Sequence, residues 1–194
     1  GVDPAIEISM KANKEGIKTI NDFFNFDTAK RIDQSFSKAS LITANNVFAH
    51  CDDLSGITQA ISNLLAPNGL FVFEVSYLKD VIKNIYFDTI YHEHLDYHTL
   101  LPLKGLMDRS GFEVIEASCI NTHGGSIRVI SQIKGAKYSV DSSVNKLIKD
   151  EEKLGLHKLS TYKTFSNRID KTGKELKQTL LEIKSKGKTI AAYG

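Results

Sequence analysis

The sequence predicts an α/β domain with a mainly parallel, doubly wound sheet, an antiparallel sheet edge and a helical linker after it. Strand-like and helix-like segments alternate through the first two thirds of the chain, a pattern typical of parallel sheets covered by helices. The last two strand-like segments of this region are joined by a short connection, which favours antiparallel pairing at one edge.

The first half of the chain contains three helical and three strand patterns. Ala29, Ile32 and Phe36 recur at helical spacing and give one helix an apolar face. Asp52 or Asp53 can cap the next helix, because a short side-chain oxygen accepts hydrogen bonds from the first free N–H groups. The predicted elements are a helix over 5–15, a strand over 17–20, a helix over 27–38, a strand over 41–44, a helix after Asp53 that ends at Pro67-Asn68-Gly69, and a strand over 70–75.

The second half begins with a segment, 76–104, that has no clean period but is dense in Tyr, His and Asp. The predicted elements beyond it are a helix over 100–110, strands over 112–117 and 126–131, helices over 141–155 and 157–184, and a strand over 188–193. We therefore expect a partial α/β domain at 1–136, a helical linker at 137–187 and the first strand of another domain at 188–194.

Composition and charge exclude several classes of function. The 194 residues are 41% hydrophobic and carry a net charge of +2, so no nucleic-acid partner is indicated. No apolar run reaches the ~20 residues of a membrane span, and no signal peptide is recognisable. Cys51 and Cys119 form no CxxC pair, which argues against a zinc site or a disulfide framework and favours a reducing cytoplasm.

Polar residues cluster where the predicted strands end, and open α/β sheets bind their ligands there. Asp3 could accept hydrogen bonds from ribose hydroxyls, or it could cap the helix that begins at Pro4. Asn45 and Asn46 could bind a carboxylate or an amine, although Asn is also a common turn residue. His50 alone is more typical of a surface or capping position.

Tyr91-His92-Glu93-His94 is the segment most typical of a catalytic site. A histidine can take a proton at neutral pH, a neighbouring carboxylate can fix its tautomer, and a phenol can donate to a developing oxyanion. Position 96 is Asp, so the His-Glu-x-x-His spacing of zinc proteases is absent. A looser metal site on His92, Glu93, His94 and Asp96 stays open, as does a polar loop in a non-catalytic domain that binds a nucleotide or a partner.

A second polar cluster is His123-Gly124-Gly125-Ser126 with Arg128. The glycine pair permits close approach of the backbone to a ligand, and its N–H groups could form an anion-binding nest. A tight turn between two strands also explains the glycines. The side chains of His123 and Arg128 add polar groups that could contact a ligand, which favours the binding role.

Taken together, these motifs resemble the sugar C-methyltransferases, which use S-adenosylmethionine and act on nucleotide-linked 4-keto-6-deoxysugars. The final segment, GKTIAAYG at 187–194, resembles the start of that family's carboxyl-terminal domain. The other segments that carry the resemblance are GVDPA at 1–5, ANNVFAH at 44–50, FDTIYHEH at 87–94 with Tyr97, and THGGSIRV at 122–129.

The resemblance implies a class I, Rossmann-type methyltransferase fold, S-adenosylmethionine as cofactor and a nucleotide-linked keto-deoxysugar as substrate. It implies His94 as the base that removes the proton at C3, with Tyr91 and Glu93 assisting. The other implied roles are cofactor binding by Asp3, Asn45, Asn46 and His50, and substrate binding by His92, Tyr97, His123 and Arg128. No metal ligand is implied in these residues, and the end product, a surface polysaccharide or a secreted glycosylated metabolite, stays open.

The chain departs from the family's pattern at both ends. The family's zinc-binding domain, first strand and glycine-rich cofactor loop are expected before GVDPA, and most of its carboxyl-terminal domain is expected after Gly194. We therefore expect an incomplete doubly wound sheet, with a gap between the strand at 1–3 and the strand at 41–44. Such a fragment is expected to bind S-adenosylmethionine poorly, to be inactive alone, and to rearrange its sheet or exchange strands in an oligomer.

Overall fold

A computed structural model describes residues 1–193, and its elements confirm the predicted α/β class. The helices are α1 (Ile6–Lys14), α2 (Phe26–Phe36), α3 (Leu54–Leu64), α4 (Leu78–Asn84), α5 (Leu100–Arg109), α6 (Ser142–Leu154) and α7 (Leu159–Ser185). The strands are β1 (Ala39–Asn45), β2 (Leu65–Ser76), β3 (Phe112–Ile120) and β4 (Ser126–Ile133). None of the helices within residues 1–193 combines the length and the apolar content that crossing a bilayer requires.

The four strands form one mixed sheet in the order β1-β2-β4-β3. β1 is parallel to β2, whereas β4 is antiparallel to both β2 and β3. It follows that β1, β2 and β3 run in one direction and β4 alone is reversed. The predicted antiparallel pairing at one edge is confirmed, in a mixed sheet in which one of the three neighbouring pairs, β1 and β2, is parallel. The reversed strand lies inside that edge, between β2 and β3.

Three predicted strands do not form within residues 1–193. The strands expected at 1–3 and 17–20 are reduced to a single isolated bridge between Val2 and Ile20, which lies outside the four-stranded sheet. Residues 188–193 have no regular secondary structure, and Gly194 lies outside the described residues. A strand is held by a ladder of hydrogen bonds to a neighbour, and none of these three segments has one in the described part of the chain. β1 is an edge strand of the described sheet, with β2 as its neighbour, so the expected gap between two sheet strands is not observed as such, and strand exchange between chains stays a prediction.

Two helices differ from their predictions for local reasons. α3 ends at Leu64, before the expected Pro67, because Leu65 is already extended and pairs with Ala39 in the sheet. α4 was not predicted, because its 7 residues are too few to show a helical period.

The main core lies between the sheet and helices α3, α5 and α6. Phe71, Phe73 and Val75 are fully buried, since alternate residues of a strand face the same side of the sheet. Phe48 packs on this face, with its ring centroid 4.7 Å from that of Phe73. Val144 of α6 joins the same cluster, so part of the predicted linker belongs to the core. The core thereby fixes the turn after β1, on which the site is built.

Candidate active site

The carboxyl ends of β1 and β2 and the amino end of β4 meet at one edge of the sheet, called here the site edge. Asn45 ends β1, and Ser76, the last residue of β2, pairs with Ser126, the first residue of β4. The segments that follow Asn45 and Ser76 and the turn that precedes Ser126 therefore converge. Most of the candidate residues that we predicted from the sequence lie in these segments.

Residues 85–99, between α4 and α5, carry the predicted catalytic residues and are called here the active loop. The loop is seated on the turn that follows β1. His50 Nδ1 lies 2.7 Å from the Glu93 carbonyl oxygen, and the Leu95 N–H donates to the Ala49 carbonyl oxygen at 2.7 Å. One side-chain and one backbone hydrogen bond thus hold the middle of the loop beside the carboxyl end of β1.

His94 is held in one tautomer. Its Nδ1 lies 3.0 Å from the Thr89 carbonyl oxygen, and a carbonyl oxygen can only accept, so Nδ1 carries a proton. A neutral His94 therefore has an unprotonated Nε2. That nitrogen lies 3.4 Å from the Tyr91 hydroxyl, a long contact in which the phenol can donate. The pair can hold or release a proton at Nε2.

Four predicted residues share one cluster of rings. The ring centroid of His94 lies 4.5 Å from that of Tyr91, 5.1 Å from that of His50 and 6.0 Å from that of Tyr97. Tyr97 donates its hydroxyl to the same Thr89 carbonyl oxygen at 3.3 Å. Because His50 Nδ1 is also held by a carbonyl oxygen, both histidines present an unprotonated Nε2 when neutral. Two bases and two phenols thus lie together at the site edge.

Glu93 and His92 take a smaller part in this cluster. Glu93 is exposed and contacts His50 through its backbone carbonyl, and its carboxylate has no hydrogen bond or ion pair within residues 1–193. A backbone carbonyl, rather than the neighbouring carboxylate that the sequence suggested, fixes the His94 tautomer. His92 is also exposed, edge-on to the Tyr91 ring at 5.9 Å.

Asn45 and Asn46 lie at the site edge with exposed side chains. Asn46 adopts φ 54°, a left-handed conformation that Asn tolerates well, and its N–H donates to the Glu74 carbonyl oxygen at 2.8 Å. Asn46 therefore acts as the turn residue that the sequence suggested, and the side-chain amides of Asn45 and Asn46 remain accessible to a ligand.

Asp3 lies outside the four-stranded sheet, next to the bridge between Val2 and Ile20. Its Oδ1 accepts the Ala5 N–H at 2.8 Å, which supports the chain just before α1 begins. Ala5 is itself the residue at the cap position of α1. No described contact joins Asp3 to the active loop.

Arg128 is paired with a carboxylate that the sequence had not singled out. Arg128 Nε donates to Glu74 Oε1 at 2.6 Å, and Nη2 contacts the same oxygen. The two residues face each other on neighbouring strands, and Glu74 was recognisable as the one charge within an otherwise apolar strand pattern. A guanidinium has five N–H groups, so Arg128 keeps donors for an anionic ligand.

The glycine pair at 124–125 lets the turn pack closely against other side chains. A Cβ on Gly124 would lie 3.3 Å from the Tyr86 ring, and one on Gly125 would lie 2.5 Å from Asp80 Oδ2. The Gly125 N–H donates to the Thr122 carbonyl oxygen at 2.8 Å, so it is unavailable to an anion nest. The glycines therefore serve the turn, while His123 is exposed at its tip with φ 49°.

His98 is a buried group that sequence reasoning did not separate from its neighbours. It is 7% exposed, and its Nε2 has no hydrogen-bond partner among the described residues. Burial lowers the pKa of His98, against the opposing effects of Asp96 and of the Phe48 backbone. Its position two residues before the predicted α5 was the only signal, and that signal is weak.

The metal-dependent alternative has no geometric support in the described part of the chain. Within residues 1–193, no three His, Cys, Asp or Glu side chains come close enough together to hold a metal ion.

Comparison with known protein families divides the chain in two. Residues 1–117 match the model of a family described as a methyltransferase domain. Residues 121–194 match the model described as a C-methyltransferase C-terminal domain. The boundary between the two matches, at 118–120, falls in the last residues of β3.

A curated protein and two solved structures are also similar to the chain. The chain is 34% identical over 194 residues to the C-methyltransferase NovU of Streptomyces niveus, with all of this chain and 46% of that protein aligned. The chain thus spans about half the length of this curated relative. A SAM-dependent methyltransferase of Anabaena variabilis has a similar fold, with a TM-score of 0.52 at 12% identity over 69% of this chain and 67% of its own. An S-adenosylmethionine-dependent methyltransferase of Clostridium acetobutylicum has a TM-score of 0.50 at 12% identity over 69% and 74% of the two chains.

Proposed function

Because the chain belongs to the family of methyltransferase domains, we propose that it forms the catalytic part of a C-methyltransferase that acts on a nucleotide-linked 4-keto-6-deoxysugar. The relative NovU is named a C-methyltransferase, which supports carbon as the methylated atom. The sugar substrate rests on the motifs of the active loop and the 122–129 segment. A cytoplasmic enzyme fits a substrate that carries a nucleotide.

The cofactor of this family is S-adenosylmethionine, and the polar groups at the site edge suit it. When bound, S-adenosylmethionine supplies a methyl group on a positively charged sulfur, the electrophile of the transfer. The exposed amides of Asn45 and Asn46 have both donors and acceptors for the charged methionine end. Asp3 has a carboxylate oxygen, Oδ2, beyond the one bonded to Ala5, which suits a ribose hydroxyl. We propose these three residues, with His50 near the reaction centre, as the cofactor contacts.

The observation that carries the proposal is the tautomer of His94. A base that removes a proton next to a ketone needs a free lone pair, and the contact of Nδ1 with the Thr89 carbonyl leaves Nε2 in that state. Proton removal at C3 gives an enolate, in which the negative charge is delocalised onto the ketone oxygen. A positioned general base contributes ~10²–10⁴-fold in rate. We propose His94 Nε2 as that base.

The neighbouring groups can assist the proton transfer. The Tyr91 hydroxyl, 3.4 Å from His94 Nε2, can donate to Nε2 before the transfer and accept from it afterwards. We propose Glu93 as a second assisting group, because its exposed carboxylate is free to bond a sugar hydroxyl. Substrate contacts are proposed for His92, Tyr97, His123 and Arg128.

The domain division expected from the sequence is kept as part of the proposal, with the sheet domain at 1–136 and the helical segment at 137–187. Water must be kept from a reactive methyl donor, so closure over the site edge by a further segment or domain is expected.

The proposal is tested by replacing His94 in the protein that carries this chain. We expect His94→Ala to reduce methyl transfer to a 4-keto-6-deoxysugar nucleotide by ~10²-fold or more. Without cofactor, the wild-type protein should exchange the C3 hydrogen of the sugar with deuterium from D2O, and the variant should not. Mass spectrometry of the recovered sugar nucleotide measures both reactions.

His157→Ala is the matched control, because His157 is exposed and lies outside the active loop. It should retain both reactions. Undiminished exchange and methyl transfer by His94→Ala would show that His94 is not the base. If the wild-type protein does not methylate a 4-keto-6-deoxysugar nucleotide, the proposed substrate is wrong.

A further inference from the structure

The two helices that flank the active loop are each capped by a charged side chain from the helical segment α6–α7. Glu151 of α6 lies at the amino end of α5, directly after the loop. Arg168 of α7 lies at the carboxyl end of α4, directly before it. The negative charge thus sits at the positive end of one helix dipole, and the positive charge at the negative end of the other.

Glu151 is 3% exposed and accepts hydrogen bonds from three donors. The Leu100 N–H reaches Oε1 at 2.5 Å, and the Leu101 N–H reaches Oε2 at 3.1 Å. Thr99, at the cap position of α5, makes no capping hydrogen bond of its own. Glu151 therefore replaces the missing local cap, and it does so from a different helix.

The third donor to Glu151 is the buried Tyr77 hydroxyl, at 2.8 Å. Tyr77 directly follows β2, and its N–H donates to the Gly125 carbonyl oxygen at 3.1 Å. The next N–H, of Leu78, donates to the His98 carbonyl oxygen at 3.0 Å. Through Tyr77, one carboxylate therefore links the end of β2, the turn before β4 and the end of the active loop.

Arg168 fixes the other end of the loop. Its Nη1 donates to the Ile82 carbonyl oxygen and its Nη2 to the Lys83 carbonyl oxygen, both at 3.0 Å. These carbonyls belong to the last turn of α4, where they lack partners within the helix. Val81 and Ile82 also pack against Phe165 of α7, so α4 is held by apolar and charged contacts together.

We infer that Glu151 and Arg168 are positioning residues that hold the active loop in its reactive geometry. The inference rests on the proposed function, in which the loop carries the base His94. Neither side chain touches the ring cluster. Each fixes a helix end from which the loop starts or at which it stops, and the loop between them is otherwise seated on the turn after β1. A displacement of about 1 Å at a reacting group can cost ~10²-fold in rate.

The test uses Glu151→Gln and Arg168→Gln, with Glu152→Gln and Lys171→Gln as matched controls. The controls remove the same charges from exposed positions on the same two helices. Hydrogen exchange of the Leu95 amide, whose partner is the Ala49 carbonyl, reports on the seating of the loop without depending on catalysis. We expect it to become ~10-fold faster or more in each test variant, because a lost hydrogen bond to a charged group has an effect of that size. Exchange in β2 should stay unchanged.

The kinetic readout uses the protein that carries this chain. We expect kcat to fall ~10- to 100-fold in the test variants while KM for S-adenosylmethionine stays within about twofold, because the cofactor contacts lie outside the loop. The controls should keep both constants. A role in stability alone would instead raise exchange uniformly across the sheet and leave kcat unchanged, and that result would overturn the inference.

Tyr77→Phe is the second variant, for the case in which Glu151→Gln does not fold. It removes one donor to the Glu151 carboxylate and leaves the two N–H contacts of α5. Hydrogen exchange of the Leu95 amide should therefore become faster and kcat should fall, each by a smaller factor than in Glu151→Gln. Unchanged loop exchange in both Tyr77→Phe and Arg168→Gln would equally overturn the inference. Failure of the wild-type protein to methylate the sugar would refute the proposed function and leave the exchange result to decide the positioning role.

Discussion

The ion pair between Glu74 and Arg128 predicts a measurable coupling free energy. The Glu74 side chain is 12% exposed and the Arg128 side chain 44% exposed. Hydrogen bonds to charged groups contribute ~1.5–3 kcal/mol when buried, whereas exposed ion pairs contribute ~0.2–1 kcal/mol. Because one partner is largely buried and the other nearly half exposed, we expect a coupling of about 1–2 kcal/mol. Arg128→Gln alone should cost about 2 kcal/mol, because it leaves the Glu74 carboxylate without its cation.

The assay is a double-mutant cycle with Glu74→Gln, Arg128→Gln and the double variant, each unfolded in urea. Urea is preferred to guanidinium because it does not screen charges. The control cycle uses Asp22 and Arg31, which are 3.1 Å apart with side chains 38% and 53% exposed, and should give about 0.5 kcal/mol or less. A Glu74–Arg128 coupling no larger than the control would refute the reasoning.

Two further predictions concern His98 and the glycine turn. Burial lowers the pKa of His98 below the ordinary value of about 6.5, so as the pH falls the unfolded chain binds a proton at this residue before the folded chain does, and the unfolding free energy should decrease below about pH 6.5. His98→Gln should flatten this dependence of the unfolding free energy on pH, whereas His157→Gln should not. Equal slopes in the wild-type protein and both variants would contradict the prediction. Gly125 has φ 128° and Asp80 lies where a Cβ would be, whereas Gly135 has φ 77° and open space. Gly125→Ala should therefore cost about 3 kcal/mol and Gly135→Ala about 1–2 kcal/mol in urea unfolding, and equal costs would rule out the close contact.

The fold could be predicted where the sequence has enough residues to show a period. The apolar run at 70–75 identified β2, and the spacing of Ala29 and Ile32 identified α2. α4 and the segment at 17–20 were not assigned correctly, because a helix of two turns and an isolated bridge depend on tertiary partners. The end of α3 was predicted a few residues too late. The sequence Pro67-Asn68-Gly69 favours a helix end there, but Leu65 already pairs with β1 and ends the helix earlier.

Part of the candidate site could be predicted because much of its chemistry is concentrated in one short segment, 91–97. His50, Tyr91, His94 and Tyr97 are titratable or aromatic, and the structure brings them into one cluster. The groups that orient them could not be predicted. The carbonyl oxygen of Thr89 is present in every residue type, so no sequence signal distinguishes it.

The reversed direction of β4 has a consequence for how such an enzyme can change its substrate. β3 and β4 form a hairpin whose tip, with His123 exposed on it, lies at the site edge. A hairpin tip can be lengthened without altering the register of its strands, and each doubling of a flexible loop costs only ~0.6 kcal/mol in closure entropy. Insertions between Ile120 and Ser126 would thus reshape the site edge and leave the sheet intact. Under the proposed function, differences in substrate preference among relatives should therefore accumulate at this tip before they reach the active loop, whose two flanking helices are both capped.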